Sequence, residues 1–146
     1  MEIKVKGKAS TDIKIELKSA AKFFGRSILS SRSFSDLYVE IHIKQKLDAR
    51  GYCEILEEGR SLPNSFIIEL EYVDRKEMLS TLAHEMVHVK QYRTGEMKNT
   101  RHCDFTNWKG KKINVITIPY EEHPWEIEAH NKEVELLERY FFHLVT

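Results

Sequence analysis

The chain has 146 residues, a length for one domain able to bury roughly 68–70% of its unfolded surface, so it needs no disulfide or metal to fold. Lys and Arg number 23 against 23 Asp and Glu, with seven His outside the sum, and the zero net charge argues against a generic nucleic-acid or membrane-surface binder. Hydrophobic residues at 41% exclude a disordered or fibrous chain, no apolar run approaches the ~18 residues of a membrane span, and two cysteines, Cys53 and Cys103, exclude a disulfide framework.

No repeat or Pro/Gly-rich linker divides the sequence, so residues 1–146 read as one domain. The opening Met1-Glu2-Ile3-Lys4-Val5-Lys6-Gly7-Lys8 lacks the apolar stretch of a signal peptide, and the expected location is the cytoplasm. A short strand at Ile3 to Val5 precedes a helix, marked by Ile13, Leu17, Ala20, Ala21, Phe24 and Ile28 after the caps Ser10 and Thr11. The run from Ser30 to Ser35 reads only as a break. Leu37, Val39, Ile41 and Ile43 then alternate with polar residues as a half-buried strand, and strands follow at 51–57 and 65–72, separated by turns at Gly59 and Pro63-Asn64. A small, mostly antiparallel sheet is the economical arrangement.

Asp74 with Glu77 fits a capping box and Gly95 a stop, so the pattern predicts a helix over 75–94. The stretch from Glu96 to Tyr120 is polar, with strand character only at Ile113 to Ile118, and is long for a plain loop. A last helix should run from Pro124 to the C-terminus. The fold class expected is α+β.

Inside the first of these helices stands His84-Glu85-Met86-Val87-His88, an H-E-x-x-H pattern. His84 and His88 lie about 40° apart on one face, one turn apart, so both imidazoles can reach a single zinc ion. Glu85, about 60° from His88, can address a water on that ion without being a ligand. Leu79, Leu82, Met86 and Val89 form the opposite, apolar face and should pack on the sheet.

A catalytic zinc site needs a third protein ligand and an open position. The candidates are His102, Cys103, Asp104 and the acids of the last helix. Taking Glu126 as the origin, Ala129, His130, Val134, Leu137, Tyr140, Phe141 and Leu144 fall within about 80° of it, whereas Glu128 falls at about 200°, toward water. A carboxylate in the middle of an apolar face needs a partner such as a metal ion to offset desolvation. Glu133 shares that face, but Glu126, in the first turn, stands better at a cleft edge.

His84-Glu85-x-x-His88 followed by Trp125-Glu126-Ile127-Glu128-Ala129-His130 resembles the gluzincin metallopeptidases, and the fuller pattern, with Trp108-Lys109-Gly110-Lys111 and Tyr120, is similar to the small SprT-like peptidases of phages and bacteria. The resemblance covers roughly residues 75–135. It implies a zincin-like fold, His84, His88 and Glu126 as zinc ligands, and Glu85 as catalytic base. Two departures stand out. His130 occupies the place of the usual Asp or Asn, and the SprT and Spartan proteins themselves use a third histidine, which His102 would supply here.

The function expected is zinc-dependent peptide hydrolysis in the cytoplasm of a bacterial or phage-infected cell. Glu85 would take the proton of a zinc-activated water and pass it to the leaving amine, and Tyr120, His123 or His130, in that order, would meet the oxyanion. A monomer acting on a protein or peptide, away from membranes, is the matching expectation. Two other readings stand beside it. In one the zinc only fastens two helices of a binding module, although such a site has no need of Glu85. In the other the substrate is a DNA-bound protein, approached through Lys98, Arg101, Lys109, Lys111 and Lys112, a smaller basic patch than nucleic-acid binding usually needs. Trp108 and Trp125 read as packing residues, and His42 and His143 as surface.

Overall fold

A computed structural model describes residues 1–57 and 62–146, so the turn expected at Gly59 lies outside the described residues. Strand β1 (Glu2–Gly7) leads into α1 (Thr11–Ile28), which begins where Ser10 accepts a hydrogen bond from the Ile13 amide at 3.2 Å. The serine-rich stretch is itself a short helix, α2 (Ser31–Ser35), capped in the same way by Ser30. Strands β2 (Tyr38–Lys44), β3 (Gly51–Ile55) and β4 (Ser65–Glu71) follow, then α3 (Arg75–Arg93). The class is α+β.

The main sheet corrects the expectation of a mostly antiparallel one. Its order is β1-β2-β4-β3, with β1 and β4 both parallel to β2 and only β3 antiparallel, on the outer edge of β4. Alternation in β2 signals one buried and one solvated face, a pattern most common in antiparallel sheets. Here the helices cover one face alone, so parallel strands keep the alternation. Ile3, Val39, Ile41, Phe66, Ile68 and Leu70 meet Leu17, Ala20 and Phe24 of α1 and Met78, Leu79, Leu82 and Met86 of α3 in one core. On the open face Glu40 gathers His42, Tyr38 and Lys6. Hydrogen bonds from these three hold its carboxyl down at about 2, and the bond from Tyr38 pushes that phenol up to about 12.

Residues 96–120 also depart from expectation. They contain β5 (Met97–Asn99), β6 (Phe105–Trp108) and β7 (Lys111–Asn114), paired antiparallel as a second sheet. The strand expected at 113–118 ends at Asn114, whose side chain accepts from the Ile116 and Thr117 amides and turns the chain. Met97 and Trp108 of this sheet close over Trp125, a small apolar cluster separate from the main core, in keeping with packing roles for both tryptophans. A 3₁₀ turn at Tyr120–Glu122 leads to α4 (Pro124–Val145), with Pro124 in the first helical turn. No helix among the described residues is long and apolar enough to cross a membrane.

Candidate metal centre and cleft

Helix α3 is fixed at both ends by local chemistry. Asp74 accepts from the Glu77 amide at 2.9 Å, and Gly95 leaves the helix at φ 79°, a conformation that glycine adopts without strain. From Met78 to Gln91 the helix is buried or half-buried all round. Leu79, Leu82, Met86 and Val89 join the core, while His84, His88 and Gln91 face α4.

The α4 face that meets them differs from the expected one. Trp125, Glu126, Ala129, Leu136 and Tyr140 are buried, whereas Val134 is 56% exposed and Leu144 is also exposed. The buried stripe is therefore turned by about 55° from one centred on Glu126, yet still includes it. Glu128 is corrected too. It is half-buried, accepting from Gln91 Nε2 at 3.1 Å with the Lys109 ammonium at 3.9 Å.

Four polar atoms converge where the two helices meet. His84 Nε2 and His88 Nε2 are 3.2 Å apart, and they lie 3.0 Å from Glu126 Oε1 and Oε2 respectively. Around one zinc ion with Zn–N near 2.0–2.1 Å, neighbouring tetrahedral ligands stand about 3.3 Å apart, so these spacings fit a shared ion. The hydrogen bonds on the far side of each ring fix what the Nε2 atoms offer. Gln91 Nε2 donates to the Trp125 carbonyl and to Glu128, so Gln91 Oε1 faces His88 Nδ1 at 2.7 Å and must accept its proton. Glu133 Oε2 accepts likewise from His84 Nδ1 at 2.7 Å. When neutral, each ring points a bare Nε2 lone pair inward, the tautomer a metal requires.

Such a convergence of acceptors needs positive charge at its centre, and either protons or a metal ion can provide it. Burial opposes charge on His84, but hydrogen bonds to Glu126 and Glu133 overcome it and push the ring up to about 10. His88 is raised in the same sense. Burial also opposes charge on Glu126, yet the two histidines hold its carboxyl well below the usual range.

Glu85 is different. It is buried and accepts no hydrogen bond from any described residue, and burial pushes its carboxyl up. It lines a cleft of about 460 Å³ together with Gly51, Cys53, His88, Tyr120 and Trp125. An adjoining hollow of about 280 Å³ shares Ala49, Gly51, Glu85 and Tyr120 and continues past Thr81, His130 and Glu133. A groove thus passes on both sides of Glu85, with edge strand β3 as one wall. Gly51 lets β3 approach α3 and β4 closely: a Cβ there would lie 2.6 Å from Thr81 Cγ2 and 2.9 Å from the Glu69 carbonyl. Gly51→Ala should therefore cost about 1–3 kcal/mol in chemical denaturation, as overpacking does, and an unchanged midpoint would contradict the close approach.

Tyr120 donates to Glu126 Oε1 at 2.6 Å, so its hydroxyl stands at the α4 side of the cleft, bound to the candidate ligand carboxylate. Burial and that carboxylate push its phenol up. His123 is turned away, with Nε2 on the Ile118 carbonyl at 2.9 Å and its ring on Trp125. His102, Cys103 and Asp104 are exposed in the β5–β6 turn and line neither hollow. Lys98, Arg101, Lys111 and Lys112 are exposed on the second sheet, whereas Lys109 lies near Glu96 and Glu128. His143 is exposed beside Phe23.

Searches against protein families, curated proteins and solved structures give no match to this chain. What the site does must be read from its own geometry. Sequence reasoning assigned no role to Gln91 and treated Glu133 only as a rival ligand. Both carried a signal, since Gln91 follows His88 by three residues and Glu133 follows Glu126 by seven, each on its helix's inward face. On the zinc reading proposed below, Gln91→Ala and Glu133→Gln are each expected to weaken metal binding about 10–100-fold in a chelator competition, the usual cost of losing the partner that orients a ligand histidine. Unchanged affinity in both would remove that role.

Proposed function

We propose that this chain is a zinc-dependent peptidase of the gluzincin type, with His84, His88 and Glu126 holding the ion and Glu85 acting as general base. The observation that carries the reading is the convergence of two imidazole nitrogens and a carboxylate at 3.0–3.2 Å, each imidazole oriented from behind by its own acceptor, beside a buried carboxylate without a hydrogen-bond partner among the described residues. The likeness of the sequence to small SprT-like peptidases supports it, as does the packing of α3 against both α4 and edge strand β3. Zinc bound there supplies a Lewis acid that lowers the pKa of water and polarises a carbonyl.

The chain's own groups do the rest. The groove accepts an extended peptide along β3. Glu85, with its pKa raised by burial, takes a proton from the attacking water and returns it to the leaving amine. Tyr120, already aimed at the metal side, donates to the developing oxyanion. A binding module with a purely structural ion would have no use for a buried, unpartnered Glu85 opening on a groove. The test is metal analysis together with cleavage of an unfolded protein substrate: about one zinc per chain and chelator-sensitive hydrolysis are expected. Zinc without hydrolysis of any peptide would favour the structural ion, and no zinc would end the proposal.

A further inference from the structure

The zinc reading above leaves His130 without a part, although it stands against the proposed ligands. It lies on α4 one turn after Glu126 and lines the smaller hollow with His84 and Glu85. A ring nitrogen of His130, one of His84 and an oxygen of Glu126 all lie within 4.8 Å of one another. The His130 and His84 ring centres are 4.6 Å apart, close to the 4.9 Å between His84 and His88, which already aim at one point. Its only polar contact among the described residues is a long one, Nδ1 to Glu133 Oε1 at 3.4 Å, and 56% of its side chain is exposed. Nε2 is therefore the nitrogen available to a metal, on a ring free to turn.

We propose that His130 is a displaceable fourth zinc ligand, closing the site at rest and leaving it when the groove is occupied. The inference rests on the peptidase reading but is separable from it. Three protein ligands leave a position open for water, whereas four make the closed shell of a structural site. With the three ligand atoms already within 4.8 Å of one another, His130 needs to approach by at most about 1.5 Å to reach the roughly 3.3 Å spacing of tetrahedral ligands, a movement that side-chain rotation supplies. The buried ligands His84, His88 and Glu126 have no such freedom. An exposed ring, held by one weak contact at the mouth of the groove, is the one that an incoming peptide can push aside. The same residue thereby gives the site a resting state with no position for reactive water.

The experiment counts imidazoles. X-ray absorption of the zinc-loaded full chain is expected to show three histidines in wild type and two in H130N, which keeps a hydrogen-bonding side chain beside Glu133 but removes the imidazole. The cobalt-loaded forms should differ in their visible spectra, and H130N should release zinc to a chelator about tenfold faster. Two histidines in both proteins, with equal release rates, would overturn the proposal. H84A keeps the underlying reading separately testable: it should hold no zinc. Zinc retained by H84A, or none bound by wild type, would bring down the metal centre itself and His130 with it.

Discussion

Glu126→Ala is expected to strip the protein of zinc, whereas Glu128→Ala, two residues away, leaves most of it bound. Each Glu126 oxygen lies 3.0 Å from a different imidazole nitrogen, so its loss removes a donor from the centre itself. The drop in affinity should exceed the roughly 10–100-fold that losing an outer partner costs. Glu128 reaches the site only through Gln91, and its removal still leaves Gln91 its bond to the Trp125 carbonyl. Protons report the same centre from the other side. Without metal, Glu126 and Glu133 hold a proton on His84 up to about pH 10, so zinc taken up at pH 7 must expel it. Apparent affinity should thus rise as pH rises toward 10, because a raised pKa means that the competing proton stays bound until then. Calorimetry in two buffers of different ionisation enthalpy measures the release, which should shrink in Glu126→Ala together with the metal content. A full equivalent of zinc in that variant, with zinc lost from His102→Ala instead, would make His102 the third ligand.

The parts of the site legible in the sequence are those written in local chemistry. The bounds of α3 follow from a cap and a glycine stop within a few residues of its ends, and Glu126 stands out because helical phase alone places a carboxylate among apolar residues. Strand order is a different kind of information. The alternation in β2 says which face is buried, and nothing within β2 says that β4 will lie beside it in parallel with β3 beyond. Strands β5 to β7 are three or four residues each and mostly polar, too short for any period to emerge, and their presence changes the surroundings of Glu128. With Lys109 from this sheet on one side and Gln91 of α3 on the other, a glutamate assigned to water by phase becomes half-buried. The turn of the buried stripe by about 55° has a similar origin: the contact partner, not the helix, sets which side is covered. That turn brings Glu133 onto His84 and leaves Val134 outside.

Glu85→Gln should abolish most hydrolysis while leaving the metal in place, and it should not weaken the fold. Glutamine matches the shape of glutamate and lacks the proton-accepting charge. If Glu85 is the base, turnover falls by about 10²–10⁴-fold, with little change in substrate affinity. Zinc content should stay near one per chain, because no hydrogen bond ties Glu85 to His84, His88 or Glu126 among the described residues. Stability separates this role from a structural one. Burial raises the Glu85 pKa in the folded chain, so the unfolded chain gives up that proton at lower pH. The difference works against the folded state as pH climbs above the unfolded value, and at neutral pH the ionised carboxylate is a cost. A neutral amide removes that cost, so with chelator present Glu85→Gln should melt no lower than wild type. A variant that lost activity and melting temperature together would show Glu85 to be part of the scaffold. Full activity in Glu85→Gln would move the base elsewhere in the cleft.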